Sequence, residues 1–142
     1  MGEYPKADLG RSFQEQQKRL IEDICSTGDV LSQYSYLVEL SARLPHMPDG
    51  AKEEAKKVEK CQSQVWIRGG RDGDGVFFEA DSDTLIVRGV LYLMLSLVNG
   101  RDADEVSSCG FDFVNGTELK DAFSDTRLSG FGAIEDAIHS FC

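Results

Sequence analysis

The chain has 142 residues, 41% of them hydrophobic, and a formal net charge of −10 at pH 7. That length and apolar content predict one compact domain over residues 1–142, with enough chain to bury a core. The charge argues against general nucleic-acid binding, because phosphate contacts need clustered Lys and Arg.

From Asp8 onward, Leu9, Phe13, Leu20, Ile21 and Ile24 recur at helical spacing and predict a first amphipathic helix. Gly28 stops it, and Asp29 is the N-cap candidate for a second helix. That helix carries Leu31, Tyr34, Leu37, Val38, Ser41 and Leu44 on one side and ends at Pro45. His46 to Gly50 reads as a loop, since Pro45, Pro48 and Gly50 fall within six residues and cannot continue a helix. For Ala51 to Lys57 a short helical turn and a linker both fit.

Ser63, Val65 and Ile67 then alternate with Gln62, Gln64, Trp66 and Arg68, the period of a strand. The glycine-rich run Gly69 to Gly75 predicts a turn, and Val76 to Ala80 a second strand, together an antiparallel hairpin. A phosphate-binding reading of these glycines fails because it requires a helix N-terminus next, and a strand follows. Asp81-Ser82-Asp83 offers N-cap chemistry to the nearly all-apolar stretch Thr84 to Val98, expected to be a buried central helix. Asp102 to Ser107 predicts a short helical turn. Thr117 can cap a short helix reaching Phe123, and Phe131, Ile134, Ile138 and Phe141 define a last amphipathic helix with Arg127 just before it. The expected fold class is therefore α+β, a small antiparallel β-sheet packed against several helices.

No segment reaches the roughly 20 apolar residues that cross a bilayer. Residues 1–10 are polar and mixed in charge, unlike a signal peptide. A cytoplasmic protein without a membrane partner is expected. Charge is uneven along the chain: residues 1–71 hold eleven acids and eleven bases, residues 72–142 fourteen acids and four bases. Such asymmetry either orients a partner or is an ordinary solvated acidic surface.

Four cysteines, Cys25, Cys61, Cys109 and Cys142, are widely spaced, with no CxxC pair. His46 and His139 stand alone in the sequence, so no metal site is expected. Cys61 is set apart by Lys52, Lys56, Lys57, Lys60, Arg68 and Arg71, all within ten residues of it. A free thiol has a pKa of about 8.5, and neighbouring cations favour the reactive thiolate. On these residues alone Cys61 is either a reactive thiol or a small buried hydrophobe.

The run Cys61-Gln62-Ser63-Gln64-Val65-Trp66 resembles the signature of the SufE family. The likeness extends from about Asp29 to His139, through Glu39-Leu40, Arg43-Leu44-Pro45, Asp81-Ser82-Asp83, Gly89, Arg127 and Gly130. One departure is Lys60, where the family usually has glycine. The resemblance implies a sulfur acceptor. Cys61 would take persulfide sulfur from a pyridoxal-phosphate-dependent cysteine desulfurase of the SufS or CsdA kind, stimulate it, and pass the sulfur toward an iron–sulfur scaffold. With this resemblance, Gln62, Ser63 and Trp66 would shape the surroundings of that thiol, Asp81 would orient the neighbouring backbone by capping, and Arg127 matches an arginine of the surface around the family's cysteine. It implies no cofactor on this chain, because the carbon–sulfur cleavage belongs to the partner's pyridoxal phosphate. The rival expectations are an iron–sulfur or metal scaffold, a thiol redox module pairing Cys61 with Cys109 or Cys142, and a cysteine hydrolase using His46 or His139 as base.

Overall fold

The computed structural model describes residues 3–59 and 62–142; Lys60 and Cys61, the residues on which the thiol expectation falls, lie outside the described residues. In chain order the elements are α1 (Phe13–Ser26), α2 (Val30–Ser41), α3 (Asp49–Glu54), β1 (Lys56–Lys57), β2 (Val65–Asp72), β3 (Gly75–Ser82), α4 (Leu85–Val98), α5 (Ala103–Ser107), a 3-10 turn (Glu118–Ala122) and α6 (Asp125–Ser140). The strands form one antiparallel sheet in the order β1-β2-β3, with helices packed around it, an α+β architecture.

Caps decide where the helices begin. Helix α1 starts at Phe13, later than the apolar spacing predicts, because Ser12 caps it by accepting from the Glu15 amide at 3.2 Å. Upstream, the Asp8 carboxylate turns the chain by accepting the Gly10 amide at 3.0 Å, and Leu9 is left 64% exposed. The segment before α1 is tied to the end of α4: the Ala7 amide donates to Asn99 O at 2.8 Å, and Asn99 Nδ2 donates to Pro5 O at 3.0 Å. Asp29 caps α2 as expected, through the Ser32 amide at 3.0 Å. Leu31 does not join that helix's inner face and is 71% exposed, whereas Leu40, outside the predicted stripe, is buried.

The hairpin turn is shorter than the glycine run suggested. Strand β2 continues through Gly69 to Asp72, and only Gly73 and Asp74 form the turn, with Gly73 at φ +63°. Gly69 is needed for close approach rather than for turning. A Cβ there would stand 2.8 Å from the Phe78 ring and 2.9 Å from the Phe141 ring.

Helix α4 is the centre of the core, buried around most of its circumference. It lies between β3 on one side and α2 on the other. Gly89 lets the two helices meet: a Cβ at that position would run into Leu37 O. Within α4 sits a charge, Arg88, only 3% exposed. It pairs with Asp81 and donates to Ser41 O at 3.1 Å and to Leu44 O. Asp81 also accepts the amides of Met47 and Ser82, each at 2.8 Å. One buried ion pair thus joins β3, α4, the end of α2 and the chain leading into α3. Among the described residues no helix is long and apolar enough to cross a membrane.

Candidate functional site

The residues that follow Cys61 enter β2 in strand alternation. Ser63, Val65 and Ile67 are buried, while Gln62 and Gln64 are exposed. Contacts through Gln64 hold this entry. The Gln64 amide donates to Asp83 Oδ1 at 3.0 Å, and Ser82 Oγ donates to Gln64 O at 2.7 Å.

Against Ser63 comes Arg127, sixty-four residues away in sequence, donating from Nη1 to Ser63 Oγ at 2.7 Å. Arg127 lies in the first turn of α6 and not before the helix. Ser124 caps α6 by accepting the Arg127 amide at 3.1 Å, which fixes the point from which the side chain sets out. Gln62 and Arg127 line a small cavity of about 10 Å³ with Val87, Gly130, Phe131 and Ile134. The structure therefore brings Gln62, Ser63 and Arg127 together.

Trp66 and Asp81 form a cross-strand pair farther along the hairpin. Trp66 is half-buried, whereas Asp81 is buried with its carboxylate on Arg88 of α4. Lys52 Nζ stands 4.2 Å from the centre of the Trp66 ring, a cation–π contact. The Asp81 carboxylate does not cap α4; the cap position belongs to Thr84, and Asp81 is committed to Arg88 and two backbone amides.

Two of the sequence-local cations, Arg68 and Arg71, are engaged elsewhere. Arg68 is held by Glu79 at 2.8 Å and lies 3.7 Å from Glu54, which raises its pKa further. Arg71 donates to Cys142 O at 3.3 Å. The cation that reaches Ser63 comes instead from α6, and spacing around Cys61 carried no signal of it. Thr84 was missed as well: its Oγ1 lies 2.6 Å from Ser63 Oγ, yet in the sequence it reads only as the start of an apolar helix.

Two of the other thiols, Cys109 and Cys142, are shifted away from the reactive form. Burial pushes the Cys109 pKa up, with Glu105 adding to the effect, and burial also raises Cys142. A raised pKa leaves less thiolate. Cys25 is exposed, and all three are free. His139 contacts Cys109 O at 2.8 Å, and His46 lies exposed beside Asp81, so neither meets Ser63 or Arg127. Among the described residues no three His, Cys, Asp or Glu side chains converge as metal ligands.

Fold and site together describe an α+β domain in which a hairpin and the first turn of α6 converge on the residues just after a cysteine. The Fe-S metabolism associated domain, SufE, matches residues 18–142. The chain belongs to the SufE family. An uncharacterized SufE-like protein of Rhizobium meliloti is 30% identical over 127 residues, covering 86% of this chain and 91% of that protein. The sulfur acceptor protein CsdE of Escherichia coli is 32% identical over 111 residues, covering 75% and 74% of the two chains. In structure, a hypothetical protein of Thermus thermophilus solved in solution superposes with a TM-score of 0.72 at 22% identity, over 87% of this chain and 90% of that one, a likeness of fold.

Proposed function

We propose that this chain is a sulfur acceptor in which Cys61 takes sulfur as a persulfide from a pyridoxal-phosphate-dependent cysteine desulfurase. The observation that carries the reading is the arginine from α6 donating to Ser63, two residues along the chain from Cys61. Family membership and the name of the relative CsdE support it. In the transfer, the Cys61 thiolate attacks the outer sulfur of the donor persulfide. A new sulfur–sulfur bond forms at Cys61, the donor's bond breaks, and the donor cysteine leaves as a thiolate. No electrons are gained or lost overall, so no redox partner is needed.

A positive group near the accepting sulfur favours both the attacking thiolate and the persulfide anion that results. Arg127, held by Ser63, is suited to that work, and Gln62 and the small cavity beside it shape the surroundings. The desulfurase's own cofactor performs the carbon–sulfur cleavage, so this chain carries sulfur and does not release it from cysteine. It stimulates the desulfurase by removing the product sulfur and passes the sulfur toward an iron–sulfur scaffold in the cytoplasm. Replacing Cys61 by serine is expected to abolish stimulation of the desulfurase while leaving the circular dichroism spectrum unchanged. Full stimulation by Cys61→Ser would refute the reading.

A further inference from the structure

Thr84 occupies the N-cap position of α4, a place where threonine normally accepts a hydrogen bond from a first-turn amide. Its side chain makes no such bond. Its Oγ1 lies instead 2.6 Å from Ser63 Oγ and 3.1 Å from Asp83 Oδ1. Ser63 Oγ in turn accepts from Arg127 Nη1 at 2.7 Å. The four groups form a run with a guanidinium at one end and a carboxylate at the other, joined through two hydroxyls.

Each hydroxyl has one proton to give and can rotate to give it. One sense satisfies every member: Arg127 donates to Ser63, Ser63 to Thr84, and Thr84 to Asp83. In that sense each bond polarises the next, and a lone pair of Ser63 is kept facing Arg127. Asp83 is itself fixed, because its Oδ1 also accepts the Gln64 amide at 3.0 Å.

We propose that Thr84 is a positioning residue for sulfur acceptance: its hydroxyl, set between Asp83 and Ser63, holds the Ser63 hydroxyl as the acceptor that seats Arg127. The inference rests on Cys61 being the accepting thiol. Thr84 acts on Arg127 only through Ser63. Removing its hydroxyl leaves the Ser63 proton without its acceptor and loosens the Arg127 guanidinium seated on Ser63, two residues along the chain from Cys61.

The test uses the full chain without any desulfurase, so its result is independent of whether sulfur is ever delivered. The rate of Cys61 alkylation by iodoacetamide is followed at one pH by mass spectrometry of the Cys61 peptide, which separates it from Cys25, Cys109 and Cys142. Thr84→Val keeps the β-branched shape and removes the hydroxyl; Thr84→Ser keeps the hydroxyl. Thr84→Val is expected to react at least about threefold more slowly, the scale of coupling within one hydrogen-bonded network. Thr84→Ser should react at the parental rate, and Thr84→Val combined with Arg127→Ala no more slowly than Arg127→Ala alone. A parental rate for Thr84→Val, equal slowing by Thr84→Ser, or a double variant whose loss is the product of the two single losses would each overturn the proposal. Should Thr84→Val fail to fold, Thr84→Ala is judged by the same three criteria.

Discussion

Arg88 and Arg127 both reach the hairpin, Arg88 at Asp81 of β3 and Arg127 at Ser63 on the entry to β2, yet they have opposite surroundings. Arg88 is 3% exposed, and its guanidinium is occupied by a carboxylate and two backbone carbonyls. Arg127 is partly exposed, and among the described residues its side chain meets a neutral hydroxyl and no carboxylate. A buried charge needs full compensation to be tolerated, and once compensated it has nothing left to offer a ligand. A cation seated on a hydroxyl keeps its charge for an incoming anion. Exposure and partner, more than residue type, separate the arginine that holds the fold from the one proposed to serve sulfur chemistry.

The comparison is most easily broken at Asp81. Asp81→Asn keeps the shape but removes the counter-charge from Arg88, with an expected loss of about 3–5 kcal/mol of stability. Replacing Arg88 by methionine in the same chain should recover much of it, and a urea unfolding midpoint unchanged by Asp81→Asn would contradict the structural role. Next in size is Gly89→Ala, one residue along α4. Its methyl group would meet the Leu37 carbonyl, so α2 and α4 must separate at a cost of about 1–3 kcal/mol, read as a lowered melting temperature. A stabilised variant would mean that the helices have room to spare. Arg127→Ala should have the smallest effect on stability, within about 0.5 kcal/mol. It should nevertheless slow sulfur loading of Cys61 about tenfold, because a neighbouring cation favours the reactive thiolate. A large loss of stability with unchanged loading would place Arg127 beside Arg88.

Much of the frame was legible in the sequence because it depends on local rules. Asp29 caps α2, Ser63-Val65-Ile67 alternate into the core, and the apolar run after Asp83 is the buried helix. What stayed hidden depends on contacts made only in three dimensions. Gly69 looked like turn material until the rings of Phe78 and Phe141 were seen to need its bare backbone. Asp81 looked like a helix cap because no spacing rule reveals that Arg88, seven residues on, turns back to meet it. At the candidate site, the resemblance names Arg127, but no spacing rule shows that it reaches Ser63 from α6, and the hydroxyl between Ser63 and Asp83, on the residue before α4, was missed altogether. Neither has a periodicity that points to the site.

The central claim is that sulfur comes to rest on one thiol of the four. It is tested most directly by incubating the protein with a cysteine desulfurase and cysteine, then digesting it without reductant and weighing the peptides by mass spectrometry. The account predicts one added sulfur atom on the peptide containing Cys61 and none on those of Cys25, Cys109 and Cys142. Added sulfur on another cysteine with Cys61 unchanged, or none on any peptide under conditions where the desulfurase turns over, would contradict it.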